Sequence, residues 1–188
     1  MTGRRHNATG RSTGQFATSG FRSSNRPPQG EPFVWLTLAQ LASGAHRALS
    51  GGARRVIDRI AIEHMSHGGG RNGDLVVTYD DFETYGIRRR SILQYLEEAS
   101  ALGFIARTQR GRAGWGEFEG VPARYRLTWL PTCDGLPATN EWARFQTREE
   151  AHAVVLKVHE EVIRQRNDRR RRSQEAFSPR ARRRSKSC

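Results

Sequence analysis

Between Thr78 and Ile105 the chain reads TYDDFETYGIRRRSILQYLEEASALGFI, two short helical patterns broken at Tyr85-Gly86-Ile87. Thr78 caps the first, with Asp80 and Asp81 in the turn where the positive end of the helix dipole favours acids. Phe82 and Tyr85 are expected to face the core, Gly86 allows the turn, and Ile87 anchors the entry to the second helix. That helix places Ile92, Leu96 and Ala99 on one face and turns Arg88, Arg89, Arg90 and Gln94 elsewhere. Gly103-Phe104-Ile105 follows, then two strand-like runs, Phe104–Gln109 and Arg124–Trp129, bracketing a loop rich in Gly and Arg.

The flanking sequence sets the boundaries. Residues 1–31 consist largely of Gly, Ser, Thr, Arg and Asn and hold too little apolar surface to offset the entropy of ordering them, so a disordered basic arm is expected. From Pro32 the composition changes, with Phe33, Val34, Trp35, Leu36, Leu38 and Leu41 as the first apolar cluster, and a folded domain over 32–130 starts there. Ser50 is the expected N-cap of a helix to His67, whose apolar positions are Val56, Ile57, Ile60, Ala61 and Met65. The glycine run after His67 is read as a structural loop before the short strand Leu75-Val76-Val77, because no Lys-Ser or Lys-Thr follows it to make a phosphate cradle. Residues 131–146 read as a linker. Thr147 and Glu150 make a capping box for an amphipathic helix over 147–166, striped with Ala151, Val154, Val155, Val158 and Val162. That stripe packs back on the domain or pairs with a second copy as a homodimer. Residues 167–188 read as a disordered, Arg-rich tail that binds a polyanion, on the backbone if the polyanion is DNA.

Charge narrows the class of partner. The net charge is +13, and only Lys157 and Lys186 among the basic residues are lysine. Arginine forks onto phosphates and guanine edges, so a polyanion is the expected partner. Residues 1–30, 31–130 and 131–188 carry excesses of +5, +2 and +6, so the ends hold most of it. The two cysteines, Cys133 and Cys188, form neither a zinc ligand set nor a disulfide framework. His64 and His67 share a helix face without a third ligand, and no metal or other cofactor is expected. No nucleophile elbow or nucleotide loop appears, so the chain is not expected to be an enzyme. Without a long apolar run or an apolar leader, no membrane partner is expected and a cytoplasmic location is.

Ile87, Arg88 to Ser91, Ile92, Tyr95-Leu96, Ala99 and Gly103-Phe104-Ile105 fall at the intervals of the bacterial winged helix-turn-helix pattern, which the chain resembles over roughly residues 33–129. The segment LASGAHRALSGGARRVIDRI also resembles the lead-in helix of winged-helix domains in phage and plasmid replication proteins. The resemblance implies an α+β fold, a three-helix core with a small antiparallel sheet and a wing. It implies double-stranded DNA as partner, bound by a transcription regulator or replication factor associated with a nucleoid or plasmid. Arg89, Arg90 and Gln94 would read bases in the major groove, while Arg88 and Ser91 would meet phosphate. Arg107, Arg110 and Arg112 would follow the backbone from the wing. Glu97 and Glu98, a turn later, would repel phosphate and end the contact. The pattern departs from the family at Arg88, where a capping Ser or Thr is common, and at Tyr95, where a small residue is. Tyr95 is a core ring or a base-stacking one, and Trp115 and Phe118 either fold back on Tyr125 and Trp129 or stack on bases. Other readings of the chain are a protein-interaction scaffold that uses the C-terminal helix, and RNA binding through the Arg-rich tails.

Overall fold

The computed structural model describes residues 30–112, 114 and 119–176. They form an α+β fold of six α-helices and a three-stranded antiparallel sheet. Three helices come first: α1 (Leu38–Ala42), α2 (Gly44–Ala48) and α3 (Gly51–Ser66). Each starts at a hydroxyl cap, where Thr37, Ser43 and Ser50 accept from the backbone N–H of Gln40, His46 and Ala53. Ser43 closes α1 and opens α2 with its backbone extended, and so separates two single-turn helices. The apolar cluster at the start of the domain lies mostly at the surface, with Phe33 58% exposed and Trp35, Leu36, Leu38 and Leu41 also open. It is tied down where the buried Trp129 indole donates to the Trp35 carbonyl at 3.1 Å.

Helix α3 buries Val56, Ile60 and Ala61, and also Ala53 and His64, which lie on the same stripe. The loop after it is held by Asn72. Its buried side-chain amide donates to the carbonyls of Leu127, Leu130 and Pro131, and its oxygen accepts from the Leu127 N–H. The sheet consists of β1 (Leu75–Val76), β2 (Ile105–Gln109) and β3 (Arg124–Leu127) in the order β1-β3-β2. Leu75 and Arg107 both face Tyr125, Ile105 faces Leu127, and the register of β2 slips between Arg107 and Gln109. An extra residue there bends the strand at the edge of the following loop. Across that loop Arg112 pairs with Val121. Trp115 and Phe118 lie outside the described residues, as do residues 1–29 and 177–188.

Helix α4 (Tyr79–Thr84) has the Thr78–Asp81 capping box, and α5 (Arg89–Ala101) starts at Arg88 with no side-chain cap. Phe82 is fully buried, but Tyr85 is 38% exposed, against expectation. The chain is already turning at Tyr85, which closes α4 with ψ near 5°, and Gly86 at φ +87° completes the turn, so the ring leaves the inner face. Ile92, Leu96 and Ala99 of α5 join the core with Val56, Ile60, Phe104, Tyr125 and Leu127.

Two expectations for the C-terminal third are corrected. Residues 131–146 are more than a linker: they contain a short 3-10 turn, Glu141–Arg144, whose Trp142 packs on the core while Phe145 is buried. Gly103, at φ +77°, lets this turn approach so closely that a Cβ there would overlap the Glu141 backbone. The last helix, α6, runs from Arg148 to Ala176 rather than stopping at 166. Arg and Gln are good helix formers; Glu161 with Arg164 and Gln165 stitches the turn leading into the extension, and Arg171 with Glu175 a turn within it. Thr147 accepts from the Glu150 N–H, while the Glu150 carboxylate reaches back to the N–H of Gln146. The stripe is used within the chain: Ala151, Val155 and Val162 are buried as α6 packs on α2 and α5. Among the described residues no helix is long and apolar enough to cross a membrane.

Candidate nucleic-acid interface

Successive residues of a helix are about 100° apart, so the side of α5 opposite Ile92, Leu96 and Ala99 carries Arg90, Gln94, Glu97 and Glu98. Helix α6 lies across that side. The Arg166 guanidinium donates to the Arg90 carbonyl at 2.7 Å, and Nε2 of His159 sits 2.9 Å from the Glu98 carboxylate. Glu98 is fully buried, and its oxygens also accept from the Ser50 N–H at 2.6 Å and the Ser50 hydroxyl at 3.0 Å. One carboxylate thus joins the start of α3, the middle of α5 and the middle of α6. Glu97 pairs with Arg107 at 2.8 Å. The two glutamates expected to repel phosphate are therefore engaged, one buried and one paired with a cation.

The covering helix changes what α5 can do. A helix with its side chains is about 10–12 Å wide and a DNA major groove about 12 Å, so the groove admits one helix. Two helices packed with axes about 8–10 Å apart do not fit together. With α6 seated, Gln94 is partly buried and only the leading turn of α5, Arg88 to Arg90, is exposed.

The leading-turn residues divide between two sides. Arg88 and Ser91 line a recess of about 390 Å³ with Arg55, Gly52 and Tyr95. The Tyr95 ring lies so close over Gly52 that a Cβ on the glycine would overlap it. This packing identifies Tyr95 as a ring set against α3, partly buried against the core. Arg89 turns the other way, pairs with Asp80 and with Glu83 at 3.1 Å, and lies 5.9 Å from the centre of the Tyr79 ring. The hydrogen bonds that Arg89 donates to Asp80 and then to Glu83 raise its pKa above the ordinary value.

On that second side two grooves adjoin. The first, about 550 Å³, runs between α5 and α6 and is lined by Tyr79, Arg89, Arg90, Leu93 and Val162 with Arg166, Arg169 and Arg170. The second, about 680 Å³, shares Tyr79, Arg89, Leu93 and Arg169 and continues past Arg107, Arg110 and Arg112 to the β2–β3 loop. Beneath it, burial pushes the Tyr125 phenol up to about 12, so this ring stays neutral beside Arg107. Five of the residues expected from the sequence, Arg89, Arg90, Arg107, Arg110 and Arg112, thus line one basic track. Arg88 and Ser91 lie apart from it, and Gln94, partly buried, is not among its lining residues.

Sequence reasoning missed Tyr79, and it placed Arg169 and Arg170 in a disordered polyanion-binding tail rather than on α6. A signal for the latter was present. Val155 and Val162 are followed on the same helical face by Arg166, Arg169, Arg170 and Ser173, so the apolar stripe continues as a basic one. Of the histidines considered for metal, His67 pairs with Glu63 at 3.1 Å, while His64 is buried. Burial lowers the pKa of His64, and its Nδ1 meets no partner among the described residues. Comparison of the chain with protein-family models, with curated proteins and with solved structures finds no match.

Proposed function

We propose that this chain is a DNA-binding protein whose folded part is a winged helix, with α3, α4 and α5 as its three-helix core and the β2–β3 loop as its wing. It holds double-stranded DNA by the phosphate backbone, as a transcription regulator or a replication factor would. The observation that carries this reading is the convergence of arginines from three separate elements on one face: Arg89 and Arg90 from α5, Arg107, Arg110 and Arg112 from β2 and its loop, and Arg166, Arg169 and Arg170 from α6. Arg89 is paired with Asp80 and Glu83 and Arg107 with Glu97, whereas Arg90, Arg110, Arg112, Arg166, Arg169 and Arg170 have no ion pair among the described residues. The unmatched charges repel one another, and a polyanion relieves that repulsion. Asp80 is the one acidic side chain that the described lining of these grooves includes.

In this arrangement the leading turn of α5 and the basic stripe of α6 meet phosphates together. Base reading by Arg90 and Gln94 requires α6 to leave its seat. The test is anisotropy of a labelled duplex titrated with the full chain over a salt series. Log affinity should fall linearly with log salt, by about 0.9 per phosphate neutralised. Affinity that is absent, or flat with salt, contradicts the proposal.

A further inference from the structure

We propose that the groove between α5 and α6 takes a single strand of nucleic acid while α6 is seated. This rests on the reading of the arginine face as a nucleic-acid surface. Both walls of the groove are cationic, with Arg89 and Arg90 on one side and Arg166, Arg169 and Arg170 on the other. Its floor is apolar and aromatic, made by Leu93, Val162 and the Tyr79 ring.

A duplex keeps its bases stacked inside and presents phosphates on a convex surface, so it can lie on the rim of such a groove but cannot fill it. A single strand has both parts that the groove matches. Its phosphates suit the arginines on the two rims, and its unstacked bases suit the floor, where a ring face gives a stacking platform tolerant of sequence. Tyr79 is 36% exposed and already has a planar cation, Arg89, 5.9 Å from its ring centre, where a base would add to the stack. The second groove continues from the same Tyr79, Arg89 and Arg169 toward Arg110 and Arg112, so the track does not end at the ring.

The test uses the full chain and three labelled probes of equal phosphate number: an oligo-dT, an oligo-rU and a hairpin duplex. Wild type should bind at least one single strand more tightly than the duplex, and the dT and rU arms tell whether DNA or RNA is preferred. Tyr79→Ala should weaken single-strand binding about tenfold, as expected for losing one stacked base, and leave the duplex unchanged. Tyr79→Phe should keep the wild-type affinity for all three probes. Arg71→Ala, at an exposed arginine that lines neither groove, should not change the single-strand affinity. Should Tyr79→Ala fail to fold by circular dichroism, Arg169→Ala on the outer part of α6 applies the same comparison, with a larger loss for single strands. Tighter binding of the duplex than of both single strands overturns the inference, as does an equal loss on every probe. Duplex binding without single-strand binding removes this inference alone, while failure of all three probes removes the DNA-binding reading as well.

Discussion

His159 of α6 lies 2.9 Å from the carboxylate of Glu98 on α5, a group with no exposure to solvent that also accepts from the Ser50 N–H. The pair links residues 61 positions apart and fixes α6 over α5. Glu98→Ala should cost about 1–3 kcal/mol, the usual consequence of leaving a buried donor without its acceptor. Glu98→Gln keeps a carbonyl oxygen for the Ser50 N–H and should cost less. Urea melts of the two variants check this, and equal stability of Glu98→Ala and wild type would remove the buried carboxylate as a joint.

The valine stripe makes a second prediction. Because Val155 is buried within the chain, Val155→Asp should destabilise the protein by about 3 kcal/mol, the scale of an uncompensated buried charge, with no change of oligomeric state. Light scattering with thermal melting distinguishes this from a dimer seam. A loss of dimer at unchanged melting temperature would mean that α6 is shared between copies.

Acid should weaken the fold through His64 and His46. Burial lowers the pKa of both below 6.5, and for His46 the nearby Arg54 adds to the effect. The unfolded chain therefore takes up these protons first as pH falls, and stability drops from about pH 6.5 downward until the folded histidines titrate. Melting temperatures between pH 7.5 and 5 should show the fall, and His64→Gln should flatten it. Parallel curves for the two proteins would place the acid sensitivity elsewhere.

What could be read from the sequence was local. The Ser50 cap, the Thr78 cap with its acidic first turn and the turn at Gly86 each depend on residues within one or two turns, so their residue types alone placed α3, α4 and the start of α5. Long-range packing was not available in that way. The stripe Ala151–Val162 indicated a covered face but not that the cover would be α2 and α5. Nor did it show that α5 would lose its outer side to α6. Trp142 and Phe145 read as linker because two aromatic residues among polar neighbours have no periodicity, although Gly103 gives them a place to dock. The arginine run after Gln165 read as unfolded on composition, while its spacing continued a helix already started.

The most direct measurement of the central claim is the salt dependence of duplex affinity for wild type and for a variant with Arg166, Arg169 and Arg170 all changed to Ala. These side chains lie on the outer part of α6, so the fold should persist. If they share a phosphate-binding face with Arg89, Arg90 and the β2–β3 loop, the slope of log affinity against log salt should flatten by about 2–3, at about 0.9 per lost contact. An unchanged slope would show that the arginines of α6 do not meet the nucleic acid, and that the face assembled by α5 and α6 is not the binding surface.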